Sequence, residues 1–286
     1  MAYSVFSYTR DALDMLPPRP EESHKGTFGK VLCVCGSVGM CGAAFFAAKA
    51  AYRMGAGLVR ILTVRENLPM LQTMLPEAIV SVYDADQPDM NVIDEAEEWA
   101  DVLVIGCGLG ISPVSRTLLA RLLRSSQTPK ILDADALNLL ARNPSLLKYA
   151  KGAILTPHPL EMARLTGRSL EEIQADPEII AYEFAKKHAL ICVLKQHRTV
   201  VTDGGERLYR NNTGNSGMAT GGSGDVLAGM LGGLLAQCRT GELPLFSVAT
   251  LGVYLHGLCG DVAARELGEY SLMASDLLIA LPKILR

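Results

Sequence analysis

No disulfide framework is written into this chain. Its seven cysteines are odd in number, scattered, and mostly set in apolar runs such as Val31-Leu32-Cys33-Val34-Cys35, which suits buried thiols in a reducing compartment. No CxxC pair faces a second one, so a structural zinc site finds no support. Neither sign of charge dominates. The 27 Lys and Arg against 30 Asp and Glu leave −3, which gives no electrostatic reason for a nucleic-acid or anionic-membrane partner. The N-terminus reaches Arg10, Asp11 and Asp14 without the basic start and apolar stretch of a signal peptide. The longest greasy segment reads as Asp225 to Ala236, about eleven uncharged residues after its acid, where a bilayer needs ~20. These absences point to a globular, cytoplasmic protein. A Walker loop, GxxxxGK[ST], is also lacking, so any nucleotide must be held without that lysine.

What is present is an alternation of strand and helix. Short β-branched runs recur at Val31 to Cys35, Leu58 to Val64, Val102 to Ile105, Lys130 to Leu132, Ala153 to Leu155 and Leu190 to Leu194. Between them lie helical stretches, among them the Ala-rich Cys41 to Met54, Pro113 to Leu123 and Pro177 to Lys187, the last two with proline at the first helical position. Strands apolar on both faces and separated by helices predict a doubly wound α/β fold with a mainly parallel sheet. From Val200 to Arg210, two short runs flank Asp203-Gly204-Gly205 and predict a β-hairpin; helices over Asp225 to Cys238, Leu245 to Leu267 and Ser275 to Leu285 follow. The prolines at 17, 18 and 20 set off an N-terminal arm, residues 1–22, from a single domain over 23–286.

Ligands of such sheets sit beyond the carboxyl ends of the strands. Gly36 to Gly42 is GxxGxxG rather than the dinucleotide GxGxxG, and either binds a ligand or only makes a tight turn. Gly106-Cys107-Gly108-Leu109-Gly110 repeats the device. At Asp133 and Asp135 two carboxylates meet a strand end, Asp135 being equally suited to capping the next helix. His158, between Pro157 and Pro159, suits binding better than packing, whereas His24, His188 and His256 read as solvated or packed. Lys195-Gln196-His197-Arg198-Thr199 places cations at a strand end, where they suit phosphates.

The stretch Asn212 to Asp225 is almost all small or turn-forming, then becomes an apolar helix. Consecutive N–H groups of Gly221, Gly222, Ser223, Gly224 and Asp225 can form an anion hole at the helix N-terminus. Asp225 at its mouth, kept ionised by the helix dipole, would orient an attacking hydroxyl and take its proton; the alternative is a plain N-cap.

Asn215-Ser216-Gly217-Met218-Ala219-Thr220-Gly221-Gly222-Ser223-Gly224-Asp225-Val226-Leu227 is similar to the N-P-G-M-A-T-G-G-T-G-D-V-L motif of the ADP- or ATP-dependent (S)-NAD(P)H-hydrate dehydratases, a ribokinase-like family. His24 to Lys30, Gly106 to Gly110 and Thr156 to Glu161 supply three further signatures in order. Departures are Ser216 for proline, Ser223 for threonine, Cys107 for the proline of GPGLG, Leu160 for the glycine of PHPGE, and Cys35 for the first glycine of GGS.

The resemblance implies a ribokinase-like α/β sandwich that uses ADP or ATP with Mg²⁺ to return hydrated NADH or NADPH to the normal cofactor. It places Ala43, Gly108, His158 and Asp225 on the hydrated cofactor, Lys195 to Thr199 and Gly224 on the nucleotide, and the proton-accepting role on Asp225. It also implies a homotetramer, and an epimerase acting on the same metabolite that many relatives carry fused; with about twenty residues before His24, that partner is expected on another chain. Two rivals use the same motifs: a kinase of a small alcohol such as a hydroxymethylpyrimidine or sugar, and a nucleotide-binding protein without turnover.

Overall fold

A computed structural model describes residues 3–125, 127–238 and 243–285. The first two residues of the arm and Arg286, the last residue of the expected domain, lie outside the described residues. Ten strands form one sheet: β1 (Ser4–Phe6), β2 (Lys30–Val34), β3 (Leu58–Val64), β4 (Ile79–Tyr83), β5 (Val102–Ile105), β6 (Lys130–Leu132), β7 (Ile154–Leu155), β8 (Ile191–Leu194), β9 (Val200–Thr202) and β10 (Arg207–Arg210). Their order is β1-β10-β9-β8-β7-β6-β5-β2-β3-β4, and every neighbouring pair is parallel except β9 with β8 and with β10. The α/β reading and the hairpin thus appear as expected. Two strands escape sequence reading because each has few buried residues: β1 and β4.

The arm is part of this sheet. Ser4–Phe6 adds as an edge strand beside β10, and Ala12 joins the core below it.

Alternation along each central strand divides the apolar residues between two faces. Val31 and Cys33 of β2 and Val102 and Val104 of β5 meet the helices Cys41–Arg53, Ser223–Gln237, Leu245–Leu267 and Ala274–Ile284. Leu32, Val34, Leu103 and Ile105 meet the helices of the other layer, among them Pro113–Ser125 and Pro177–His188. Among the described residues the longest apolar helix is not the segment chosen from sequence. Leu245–Leu267, with 23 residues, is long and apolar enough to cross a membrane, but 61% of its most apolar window is buried inside the protein, as expected of a core helix.

Helix Ser223–Gln237 aims its N-terminus at the strand ends, and its glycines let it approach that closely. A Cβ on Gly229 would lie 2.0 Å from the Ala47 carbonyl oxygen, and one on Gly233 would lie 2.4 Å from that of Ala51. We expect Gly229→Ala to lower stability by about 1–3 kcal/mol through overpacking, measured as a shift of the urea midpoint at unchanged slope.

Candidate active site

The chain leaves β2 toward β3 on one side, whereas β5, the other neighbour of β2, leads toward β6. Such a reversal opens a crevice between the two loops that follow. These are the two glycine loops, and they are tied together: the Gly36 N–H donates to the Cys107 carbonyl at 2.9 Å. Ala43 and Gly108 also adjoin, since a Cβ on Gly108 would fall 2.9 Å from that of Ala43. Beside them lies a cavity of about 800 Å³, lined by His158, Lys195, Gln196, His197, Thr199, Ser223, Gly224 and Asp225 among others. Ala43, Gly108, Arg198 and Gly221 are outside that lining.

The hole forms where the chain turns into helix Ser223–Gln237. Gly222 is the N-cap residue with φ 94°, and a Cβ there would lie 2.9 Å from Phe46 and from Ala274, so glycine is required on both counts. The backbone N–H groups of Gly221, Gly222, Gly224 and Asp225 have no protein acceptor among the described residues. Ser223 differs: its N–H goes to the Thr220 carbonyl at 3.3 Å, which removes it from the free donors. Its carbonyl in turn accepts from His256 Nε2 at 2.9 Å. Burial pushes His256 down to about 4, so the ring is neutral and carries its proton on that nitrogen. A histidine read as solvated or packed therefore anchors the first turn of the helix.

Asp225 stands at the third helical position and caps nothing. Its carboxyl is pushed up to about 6, first by burial and then by Asp133. Desolvation outweighs the helix dipole here, so the carboxyl lies above the ordinary acid range. At neutral pH it remains mostly ionised and is a stronger base for the shift.

Asp133, given no assigned role by sequence, lies at the centre of the polar network. Its Oδ1 accepts from the Thr156 hydroxyl at 2.7 Å and from the Lys195 ammonium at 2.6 Å. Burial pulls Lys195 down, but Asp133 and Glu161 outweigh that effect and hold it above its ordinary value. A Cβ on Gly224 would lie 3.4 Å from Lys195 Nζ and 3.7 Å from Asp133 Oδ2, so the pair sits directly over the hole. Lys195 thereby brings a cation to the hole from just beyond the end of β8. Gln196 and Thr199 bond to each other within the same turn, and His197 and Arg198 are exposed.

The neighbouring Asp135 does not cap its helix: its carboxylate accepts from the Gly110 N–H at 2.8 Å and so ties down the second glycine loop. The two aspartates diverge because Ala134 between them has φ 46° and ψ −114°, a conformation that glycine tolerates best. Ala134→Gly is expected to raise stability by roughly 1 kcal/mol, relief of that strain exceeding the entropy added to the unfolded chain. A denaturant midpoint that falls would show that Ala134 is unstrained.

His158 caps helix Pro159–Thr166. Its Nδ1 accepts from the N–H groups of Leu160 and Glu161 at 3.2 and 3.4 Å, and Glu161 Oε2 accepts the His158 N–H at 2.9 Å. With Nδ1 occupied, the neutral ring keeps its proton on Nε2, which lies 3.3 Å from Glu161 Oε1. Burial and then Lys195 hold the imidazole below its usual value. Glu161, missed as a site residue, lines the same cavity with its carboxyl pushed up by burial to about 7. Of the departures from the family motif, Ser216 donates its hydroxyl to Glu269, and Leu160 is exposed on the first turn of its helix.

The arrangement is a row of free backbone N–H groups with the Lys195–Asp133 pair over it and Asp225 beside it, open to a cavity of about 800 Å³. Comparison with known proteins identifies the family. A family model described as NAD(P)H-hydrate dehydratase matches residues 31–283. The ADP-dependent (S)-NAD(P)H-hydrate dehydratase of Neisseria meningitidis is 40% identical over 91% of this chain and 86% of that protein. The bifunctional NAD(P)H-hydrate repair enzyme of Coxiella burnetii is 42% identical over 96% of the chain, which spans 55% of that protein; about half the length of such bifunctional relatives is matched. The crystal structure of the ADP/ATP-dependent NAD(P)H-hydrate dehydratase of Bacillus subtilis, co-crystallised with ATP and Mg²⁺, superposes with a TM-score of 0.82 at 32% identity, over 96% of each chain. With its ribokinase-like α/β sheet, its glycine loops and its Asp225 hole, this chain belongs to the NAD(P)H-hydrate dehydratase family.

Proposed function

We propose that the chain dehydrates the S form of hydrated NADH or NADPH, converting ADP to AMP, or ATP to ADP, with release of phosphate. One observation carries this reading: the Asp225 carboxylate borders free N–H groups, with the Lys195–Asp133 ion pair above them. Asp225 takes the proton of the ring hydroxyl as its oxygen bonds to the terminal phosphorus, and the bond from phosphorus to the nucleotide oxygen breaks. The N–H groups of Gly222, Gly224 and Asp225, with Lys195, stabilise the charge on the transferred phosphoryl group. The ring nitrogen lone pair then expels phosphate, and loss of a ring proton restores the reduced nicotinamide. His158, whose Nε2 lies 3.3 Å from Glu161 Oε1, would contact the cofactor from the cavity wall, and Ala43 and Gly108 would meet it where the glycine loops adjoin.

Mg²⁺ takes one or two carboxylate oxygens together with phosphates and water. Asp133 fits it, since its Oδ2 is claimed by neither Lys195 nor Thr156. When bound, the ion would neutralise phosphate charge. Gln196 to Thr199 would hold the nucleotide from the far wall of the cavity, with the cytoplasm as the setting, an epimerase as the partner for the other epimer, and a homotetramer as the assembly.

The reading is tested by incubating the hydrated cofactor with Mg²⁺ and each nucleotide separately. Recovery of the reduced-nicotinamide absorbance with ADP or ATP supports it, and the faster of the two identifies the phosphoryl donor. Phosphate transfer confined to small alcohols would favour the kinase reading, and binding without any turnover would favour the sensor.

A further inference from the structure

Two of the departures from the family motif, Cys35 and Cys107, come together behind the catalytic carboxylate. The Cys35 thiol donates to the Val104 carbonyl at 3.6 Å, and the Cys107 thiol to Asp133 Oδ2 at 3.9 Å. Cys107 Sγ, a carboxylate oxygen of Asp133 and one of Asp225 all lie within 4.8 Å of one another. We infer that Cys107, Asp133 and Asp225 form a binding site for a thiophilic divalent cation, which shuts the enzyme by occupying its base.

The geometry suits one ion. Ligand bonds of about 2.0–2.3 Å space tetrahedral donors roughly 3.5 Å apart, so closing the present arrangement takes shifts of about an ångström. Asp133 and Asp225 line the cavity and Cys107 lies behind them, so an ion entering from the cavity meets three protein ligands and keeps a position open toward the cavity. Lys195 and Thr156 occupy only Oδ1 of Asp133 and leave Oδ2 for the ion. Cys107 gives up its thiol proton to solvent as the metal–sulfur bond forms, the usual exchange at thiolate sites.

Donor chemistry decides which ions compete. Two carboxylates alone suit hard Mg²⁺, whereas a thiolate added to them favours zinc, cadmium or cobalt. Proline at position 107 would offer no ligand, so the site comes with this chain's departure from the motif. The inhibitory consequence rests on the proposed role of Asp225, but the binding itself does not.

Cobalt(II) tests the two parts separately. Titration of the full chain should give one Co²⁺ per chain with a near-ultraviolet sulfur-to-cobalt band. That band should persist in Cys41→Ala, whose thiol is partly exposed, and vanish in Cys107→Ser and, as a second variant, Cys107→Ala. Zn²⁺ added at fixed Mg²⁺ should inhibit turnover, with its half-inhibiting concentration at least about tenfold higher in Cys107→Ser because the soft ligand is gone. A band that survives in both Cys107 variants, or none in the native chain, overturns the site. A Cys107-dependent band with zinc-insensitive turnover overturns the inhibition. A Cys107-dependent band in a chain with no repair activity supports the site and counts against the functional reading alone.

Discussion

Asp225→Asn should bind nucleotide as tightly as the native chain and turn over at least ~100-fold more slowly, the loss expected when a positioned base is removed. The substitution keeps the shape of the side chain and the N–H groups of the hole, so isothermal titration with ADP should change little. Two further results separate a base from a structural residue. In the native chain the rate should fall about tenfold per pH unit below about 6, where Asp225 gains its proton. Stability should move the other way. The folded value, about 6, lies above the ordinary 3.8, so the contribution of Asp225 to stability is fully present below about pH 4 and is lost as pH rises through 6. Asp225→Asn, carrying no buried charge, should therefore melt above the native chain at pH 8, with the gap closing toward pH 4. A variant that melts lower at pH 8 would mean that the carboxylate holds the fold together and is not held at a cost for chemistry.

Lys195→Met should destabilise the chain by about 3 kcal/mol or more, because it strands the Asp133 carboxylate, 2% exposed, without its cation. The double variant Asp133→Asn with Lys195→Met should recover most of that loss, since neither charge then remains buried. Turnover should recover in neither, for the cation over Gly224 is missing from both. A double-mutant cycle on urea midpoints reads the coupling, and additive losses would show that the pair is not a unit.

Much of this was legible in the sequence because the core obeys period rules. Strands β3, β5 and β6 begin and end where their β-branched runs do, and helix Leu245–Leu267 fills the stretch expected of it. The strands that escaped, β1 and β4, have too few buried residues to show alternation. The hole at Gly221 to Asp225 was legible because almost nothing but backbone is present there. Its chemistry was less so. That Asp133 turns into the site while Asp135 turns to Gly110 depends on the backbone of Ala134, and no residue type announces that conformation. The rise of the Asp225 carboxyl is not legible because sequence shows the helix end and not the burial around it. Glu161 was hidden for a related reason. In sequence it completes a capping box, and only the fold shows the same carboxyl buried beside Lys195.

The most direct measurement is a coupled one on the purified chain: reduced-nicotinamide absorbance and inorganic phosphate followed together, from the S form of hydrated NADH with nucleotide and Mg²⁺. The account predicts equal amounts of both in the native chain, and neither in Asp225→Asn on the same timescale. Cofactor recovered without phosphate, or at the native rate in Asp225→Asn, would contradict it.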